Sequence, residues 1–208
     1  MSHQFRMQAL LAQSPVIPVL SGNNQAQRHD LGAVSIAAGI ACVAVSLADH
    51  AVADVIQSLA QTPDLTVGAA SLLTEASASV VKQAGASFAT APGATQMLIQ
   101  ACYDQDLPFL PGAATPSESQ WLLERGFAVQ LFEAPACNDR VAALSRLFDV
   151  LPGIAFCASG NIDPEEAARL IKLPNVIGIA TNWADTPSVI STQDVSQRLR
   201  ALIDATTG

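Results

Sequence analysis

The sequence predicts an α/β fold, a single (β/α)8 TIM barrel with an N-terminal helix, and two observations support this prediction. The chain has 208 residues, of which 50% are hydrophobic, and this is enough to bury one substantial core. Eight short apolar or β-branched runs alternate with stretches of helical periodicity, which is the pattern of repeated βα units around a parallel sheet. We therefore expect residues 1–208 to form one barrel domain.

The eight runs are the predicted strands, and each closes in small or turn residues. They are Val16 to Leu20, Cys42 to Leu47, Thr66 to Ser71, Phe88 to Pro92, Pro108 to Pro111, Ala128 to Glu133, Ile154 to Ser159 and Val176 to Thr181. Their starts are about 20 to 26 residues apart, and such a barrel usually has roughly 250 residues, so the loops must be short. An open doubly wound sheet is the competing architecture, but the chain has no Gly-rich dinucleotide turn.

The predicted helices have readable boundaries. Thr74 and Glu75 open one helix and Gly85 closes it. The run Asp163 to Glu166 supplies a cap, a first-turn proline and favourable carboxylates. A leading helix from His3 to Ala12 is expected to plug the lower end of the barrel.

One uncharged run, from Leu31 to Ala48, is long enough to raise the question of a membrane span. It is mostly Ala, Gly, Ser and Val, and Asp30 and Asp49 flank it. We interpret it as the end of a helix, a stop at Gly39 and a buried strand.

Composition narrows the classes of function. Ten basic and 18 acidic residues give a net charge of -8, which repels phosphate backbones and anionic lipid, so we expect no nucleic acid or membrane partner. The cysteines are widely spaced and form no CxxC motif, which favours reduced, mostly buried thiols and a cytoplasmic location. They are Cys42, Cys102, Cys137 and Cys157. We expect neither a metal nor a cofactor.

Seven short motifs carry a family resemblance. They are Val16-Ile17-Pro18-Val19, Val67-Gly68-Ala69, Ala91-Pro92-Gly93, Leu110-Pro111-Gly112, Ala114-Thr115-Pro116-Ser117-Glu118, Phe156-Cys157-Ala158-Ser159-Gly160 and Leu173-Pro174-Asn175-Val176, with Trp183 beyond. In order and spacing they resemble the 2-keto-3-deoxy-6-phosphogluconate (KDPG) and 4-hydroxy-2-oxoglutarate (KHG) aldolases over nearly the whole chain. Each motif alone is a weak signal, whereas seven in register argue against chance.

The resemblance implies a class I aldolase, in which a lysine on the sixth strand forms an imine with a pyruvate unit. In that family a glutamate on the second strand moves the protons, within a Leu-Glu-Val-Thr-Leu-Arg motif. Here the motif reads Val43-Ala44-Val45-Ser46-Leu47-Ala48, so alanines replace the glutamate and the arginine. The lysine motif matches Val129 to Pro135 best, which puts Gln130 at the lysine, and a slip of one residue would put Leu131 there. Neither alignment supplies an amine.

The chain has only two lysines, and neither is expected in the barrel mouth, the end formed by the carboxyl ends of the strands. Lys82 lies in the helix that ends at Gly85, and Lys172 lies at the end of the seventh helix, so both are predicted to be solvated surface charges. Lysine-imine chemistry is therefore not expected.

The phosphate end of the predicted pocket also differs from the family. The family's Thr-Gly-Gly turn reads Ser159-Gly160-Asn161, and the turn after the eighth strand reads Ala180-Thr181-Asn182. These turns can hydrogen-bond a polar ligand. A β-carbon at Asn161 and the carboxylates of Asp163 and Asp185 count against a dianion.

Other residues complete the predicted site. Ser71 replaces a threonine that the family uses near the substrate carboxylate, and Cys157 is interpreted as a packed thiol rather than a nucleophile. Asp49, His50 and Glu133 could serve as acid and base or bind a metal, and the preferred interpretation is a polar rim, because no second ligand at metal spacing supports the pair. The predicted substrate-binding residues are Ser71, Pro92, Pro111, Ser159, Gly160, Asn161 and Asn182, and the predicted catalytic positions are Gln130 and Glu133.

Three hypotheses follow. The first is a degenerate aldolase relative that keeps a small polar pocket for a 2-oxo acid or a sugar-acid-like ligand of carbohydrate metabolism. The second is a lyase or enolising enzyme that uses Glu133, Asp49 or His50. The third is an aldolase acting through a misplaced amine, which the need for a desolvated amine disfavours. The resemblance also implies a homotrimer.

Overall fold

The computed structural model describes residues 2–20, 28–47, 52–133, 139–185 and 191–207. Its strands are β1 (Val16–Leu20), β2 (Cys42–Ser46), β3 (Thr66–Ala70), β4 (Phe88–Thr90), β5 (Phe109–Leu110), β6 (Gly112–Ala113), β7 (Val129–Phe132), β8 (Ala155–Gly160) and β9 (Val176–Thr181). Its helices are α1 (His3–Gln13), α2 (Arg28–Ala37), α3 (Val52–Leu59), α4 (Glu75–Gln83), α5 (Gln96–Asp104), α6 (Pro116–Leu123), α7 (Arg140–Val150), α8 (Pro164–Leu170) and α9 (Thr192–Thr207). The alternation of strand and helix confirms the α/β fold.

The strands form a parallel TIM-type barrel. They follow the order β5-β4-β3-β2-β1-β9-β8-β7-β6, so that β5 and β6 lie at the two ends of the sheet. Only Pro111 separates these two segments, because a proline has no N–H to offer the ladder. The predicted fifth strand is thus two short pieces, one paired with β4 and the other with β7. The same stretch of chain therefore brings the two ends of the sheet together.

Most predicted boundaries agree with the structure. The first and last predicted strands match β1 and β9, and the Thr74 side chain caps α4 by accepting from the Ser77 N–H. Asp163 caps α8 in the same way, accepting from the Glu166 N–H at 2.8 Å. The uncharged run is a helix end, a turn with Gly39 at φ +87°, and β2. In the described part of the chain, no helix is long and apolar enough to cross a membrane.

The lower end of the barrel is closed by α1, as predicted. Met7 and Leu11 belong to the cluster of side chains that fills the barrel interior. A β-carbon on Gly178 would lie 2.7 Å from Leu11 Cδ2 and 3.2 Å from the Pro15 carbonyl oxygen, so the glycine favours the close packing of α1 against β9. The Gln4 side chain also accepts from the Val129 N–H at 2.7 Å, which joins α1 to β7.

A polar clasp holds α1 against the turn after α5. His3 is buried and stacks on Tyr103 with 4.3 Å between ring centroids. Arg6 pairs with both carboxylate oxygens of Asp106, and His3 Nε2 lies 3.7 Å from the same carboxylate. Lys82 Nζ donates to the Asp106 carbonyl at 2.9 Å. These four residues with Asp106 will be called the lower clasp.

Candidate functional site

A cavity of about 160 Å³ opens at the carboxyl ends of the strands and is here called the mouth cavity. Its polar lining residues are Ser46, Ser71, Thr90, Glu133, Ser159 and Asn182. Its other lining residues are Val19, Ala70, Pro92, Leu131, Gly160 and Ala180. Seven of the nine strands or their following turns supply these groups in a ring, which is the arrangement of a binding site in such barrels.

Five of the seven predicted substrate-binding residues line this cavity, together with the predicted Glu133. The five are Ser71, Pro92, Ser159, Gly160 and Asn182. Pro111 does not line it, because this residue interrupts the fifth strand and offers its carbonyl to the Leu131 N–H at 2.8 Å. Asn161 does not line it either, because it follows the Gly160 turn and is exposed.

The predicted Gln130 does not reach the mouth cavity. Its side chain is fully buried, and its amide nitrogen donates to the carbonyls of Ser119 and Phe127 at 2.9 and 2.8 Å. Ser119 lies in α6, and Phe127 lies in the loop that precedes β7. Gln130 therefore faces outward from the barrel. The prediction that this amide stands at the reacting position is therefore not supported by the geometry.

Alternation along β7 identifies the inward-facing residues instead. Val129 and Leu131 both belong to the barrel-interior cluster, and Leu131 and Glu133 line the mouth cavity. Successive side chains of a strand point to opposite faces, so these three form one inward row and Gln130 belongs to the other. Leu131, the alternative raised by a one-residue slip, is thus the β7 side chain at the wall of the cavity.

The position at which alanine replaces the family's glutamate lies on β2. Ala44 belongs to the barrel-interior cluster, and Ser46 follows it on the same face and lines the mouth cavity. The inward row of β2 therefore presents the thiol of Cys42, a methyl group and a hydroxyl to the interior, without a carboxylate. Ala48, Asp49 and His50 lie outside the described residues.

The two lysines lie away from the mouth cavity. Lys82 belongs to the lower clasp, where its ammonium donates to the Asp106 carbonyl. Lys172 is exposed and precedes β9 at its amino end, which is also the lower end of the barrel. The prediction that neither lysine points into the mouth agrees with these positions.

Ser71 has an unusual backbone at the edge of the cavity. It follows β3 with φ +64°, a conformation that residues other than glycine seldom adopt. Such conformations persist where the surrounding structure fixes them, and they cluster at functional sites. The turn therefore directs this serine into the cavity at some conformational cost.

The turn after β8 brings an ion pair to the cavity wall. Gly160, at φ +133°, lines the cavity, and a β-carbon there would lie 2.5 Å from Arg140 Nη2. Arg140 Nη1 donates to Glu166 Oε1 at 2.8 Å. Thr181 supports this end of the site, because its hydroxyl accepts from the Ile162 N–H and donates to the Ile162 carbonyl.

The buried cysteines of the described chain are not nucleophiles. Cys157 lies on β8 in the barrel interior, and burial raises the pKa of its thiol to about 12. Burial also raises the pKa of Cys42 on β2. A thiolate is needed for nucleophilic attack, so the interpretation of Cys157 as a packed thiol fits its surroundings. The part of the chain that the structure describes contains no group of three His, Cys, Asp or Glu side chains placed to hold a metal.

Several cavity residues were not predicted from the sequence. Ser46 and Thr90 line the cavity beside the predicted residues. The signal that would have found Ser46 is the period of two from Ala44, since both lie on the inward face of β2. Arg140 and Glu166 carry no such signal, because only the folded chain brings them to the Gly160 turn.

Comparison with known proteins agrees with this geometry. The family model described as KDPG and KHG aldolase matches residues 7–201. The 2-dehydro-3-deoxy-phosphogluconate aldolase of Pseudoalteromonas atlantica is 30% identical over 188 residues, covering 90% of this chain and 87% of that protein.

Solved structures of KDPG aldolases share the fold of this chain. The KDPG aldolase of Zymomonas mobilis ZM4 with 3-phosphoglycerate superposes with a TM-score of 0.89 at 21% identity, covering 98% of this chain and 96% of that one. The KDPG aldolase of Legionella pneumophila, with pyruvate captured as a covalent carbinolamine, gives 0.79 at 27% identity, covering 96% and 95%. With the family model matching almost from end to end, the chain belongs to the KDPG and KHG aldolase family.

Proposed function

We propose that this member of the family binds a small 2-oxo acid or sugar acid in the mouth cavity and does not cleave it through a lysine imine. The observation that carries the proposal is the side chain of Leu131, an alkyl group at the β7 position of the cavity wall. An imine needs an amine at the substrate carbonyl, and neither lysine of the chain lies at the cavity. Ala44 and Leu131 both belong to the barrel-interior cluster, and neither offers a charged group.

The binding half of the proposal rests on the polar lining. Ser46, Ser71, Thr90 and Ser159 bring hydroxyls to the cavity, and Asn182 brings an amide. A few polar groups in a concave site are what orients a small ligand. The solved relatives hold pyruvate in one case and 3-phosphoglycerate in the other, both three-carbon acids.

Borohydride trapping tests the missing imine. The protein is incubated with pyruvate, reduced, and weighed intact. We expect no gain in mass, because neither lysine of the chain lies at the cavity. A reduced pyruvate adduct would overturn this half of the proposal.

Thermal unfolding tests binding. A ligand that binds only the folded state raises the melting temperature as its concentration grows. We expect pyruvate or 4-hydroxy-2-oxoglutarate to raise it, and Ser71→Ala or Asn182→Ala to reduce the shift. No shift with either acid would overturn the binding half.

A second candidate function is proton transfer on a bound 2-oxo acid. Glu133 favours it, because it places a carboxylate among the lining groups of the mouth cavity. Solvent deuterium entering the methyl group of pyruvate, without an adduct and with loss in Glu133→Gln, would support this function over binding alone.

Self-association stays a prediction. The resemblance to homotrimeric enzymes motivates it, and light scattering of the purified protein tests it by giving the number of subunits. A monomer at all concentrations would overturn it. A cytoplasmic location likewise stays a prediction.

A further inference from the structure

One charged side chain stands among the groups that line the mouth cavity. Of the described lining residues, Glu133 is the one that carries a formal charge. It follows β7 directly, and its N–H donates to the Ala113 carbonyl at 3.2 Å, which holds its backbone against β6. Its side chain is half-buried, and no hydrogen bond or ion pair to its carboxylate is found in the described chain. The carboxylate is therefore available to a ligand.

The described lining residues include no cation that would balance this charge. Arg140 lies behind the Gly160 turn, but it does not line the cavity, and its Nη1 donates to Glu166 Oε1 at 2.8 Å. Charges of the same sign repel each other more strongly in a partly buried site than in open water. The surroundings of Glu133 therefore disfavour a phosphate dianion.

Pairing of the strands places two neutral polar groups next to Glu133. β7 pairs with β8, with Phe132 opposite Ala158, so Glu133 comes beside Ser159 at the next step along the two strands. β9 pairs with the other edge of β8, and Asn182 follows β9. All three of Glu133, Ser159 and Asn182 line the cavity, and together they are here called the polar wall.

The hydroxyls on the other side of the cavity suit the acid group of a ligand. Ser46, Ser71 and Thr90 come from β2, the turn after β3, and β4, which are neighbours in the sheet. None of these strands pairs with β7, and β5 and β6 lie between β4 and β7 where the barrel closes. A carboxylate bound to these three hydroxyls receives hydrogen bonds and keeps its charge away from Glu133. Its carbon chain then extends toward the polar wall.

The hydrogen-bonding capacity of Glu133 restricts what that carbon chain carries. An ionised carboxylate accepts hydrogen bonds and donates none, so its ligand must supply a donor. A 2-oxo acid without hydroxyls has acceptors only, and it would displace water from the carboxylate without replacing the lost hydrogen bonds. A hydroxyl donates to Glu133, and its oxygen can accept from the Ser159 hydroxyl or the Asn182 amide.

We propose that Glu133 is a specificity-determining residue that accepts a hydrogen bond from a hydroxyl of an unphosphorylated sugar acid. The inference rests on the proposed function and narrows its ligand from 2-oxo acids and sugar acids in general to the hydroxyl-bearing class. In this orientation the acid group lies at Ser46, Ser71 and Thr90, and the hydroxyls lie at the polar wall. Phosphorylated sugar acids and 2-oxo acids without hydroxyls bind more weakly.

The test measures by calorimetry the affinity for acids with carbon chains of equal length. 2-Oxohexanoate has no hydroxyls, 2-keto-3-deoxygluconate carries them on the same chain, and 2-keto-3-deoxy-6-phosphogluconate adds the phosphate. We expect the wild type to bind 2-keto-3-deoxygluconate about tenfold more tightly than either of the others. This factor corresponds to one hydrogen bond to a charged group.

Substitutions at Glu133 separate the hydrogen bond from the charge. Glu133→Ala removes the acceptor, so we expect it to lose the preference for 2-keto-3-deoxygluconate over 2-oxohexanoate. Glu133→Gln keeps an acceptor without the charge, so it should keep part of that preference while the penalty on the phosphorylated acid largely disappears. Glu124→Gln is the matched control, because it removes the same charge from an exposed residue that does not line the cavity. It should bind all the acids as the wild type does.

Three results would overturn the inference while the proposed function stands. They are equal binding of 2-keto-3-deoxygluconate and 2-oxohexanoate by the wild type, an unchanged preference in Glu133→Ala, and tighter binding of the phosphorylated acid than of the unphosphorylated one. If the wild type binds neither pyruvate nor any of these acids, the proposed function fails and the inference fails with it.

Discussion

The two ends of this barrel are built in opposite ways. At the lower end, α1 inserts Met7 and Leu11 into the interior, and both side chains are fully buried. At the upper end the same interior opens into the mouth cavity, where hydroxyls, an amide and a carboxylate stand beside alkyl groups. The strands that connect the two ends carry both kinds of side chain on one face.

The contrast between the two ends implies that different residues of one strand serve stability and ligand binding. On β7, Val129 packs in the closed interior, Leu131 reaches the cavity wall and Glu133 stands in the cavity. Buried alkyl groups stabilise the fold in proportion to the area that they remove from water, whereas exposed polar groups contribute little. We therefore expect substitutions at the lower end to change stability and substitutions at the upper end to change binding.

The largest effect is expected from introducing a lysine on the inward face or on the outward face of β7. In Leu131→Lys the new side chain reaches the mouth cavity, where desolvation lowers the pKa of its ammonium and makes it a nucleophile. We expect pyruvate and borohydride to give an intact-mass increase in this variant and not in the wild type.

Gln130→Lys is the matched control for that prediction. Its side chain faces α6, so we expect no adduct. It also loses two hydrogen bonds and buries a charge, which should cost about 3 to 5 kcal/mol in the free energy of unfolding. An adduct in Gln130→Lys alone would show that the faces of β7 are assigned the wrong way round.

The uncertainty about β7 has a physical origin. All four of its residues are buried, because a barrel strand packs against the interior on one face and against helices on the other. The pattern of hydrophobic residues therefore does not show which face of β7 points inward. The match to the family's lysine motif predicts Gln130 at the inward position. The outer partners of this residue, the carbonyls of Ser119 and Phe127, appear only after folding.

Strand and helix boundaries were more predictable, because local chemistry determines them. Capping by Thr74 and Asp163 is encoded within four residues of sequence, and both caps are present. The break of the fifth strand at Pro111 was missed, although the missing N–H of proline is also a local signal. The contact of Arg140 with Gly160 joins positions on different elements and has no local signal.

Deleting an alkyl group at the lower end and a hydroxyl at the mouth cavity tests the comparison next. Leu11→Ala removes a fully buried side chain from the plug, and we expect a loss of about 2 to 5 kcal/mol in chemical denaturation. Ser159→Ala at the mouth cavity should stay within about 0.5 kcal/mol and weaken ligand binding instead. Equal stability losses in the two variants would argue against the separation of roles.

The lower clasp should make stability depend on pH. Burial, followed by the nearby Arg6 charge, lowers the pKa of His3 below its usual value of 6.5. The unfolded chain then binds a proton more readily than the folded chain, so stability falls as the pH is lowered through 6.5. His3→Phe keeps a ring against Tyr103 without titrating, and we expect its unfolding free energy to vary less over this range. An identical pH profile in the two proteins would exclude His3 as the source.

The smallest expected effect is at the exposed end of the same clasp. Hydrogen bonding to Arg6 lowers the pKa of the Asp106 carboxyl below its usual value of 3.8. A depressed pKa stabilises the fold above 3.8, and this contribution disappears as the pH falls below it. We expect Asp106→Asn to unfold slightly more easily than the wild type at neutral pH and equally easily in acid.

Asp64→Asn is the matched control for this last prediction. Asp64 and Asp106 both have positive φ, at 63° and 45°, and asparagine tolerates that conformation as well as aspartate does. Asp64 is exposed, and no ion pair to it is found in the described chain. Its substitution should leave the pH profile unchanged. A change of the same size in both variants would mean that the backbone, and not the ion pair with Arg6, is the source of the effect.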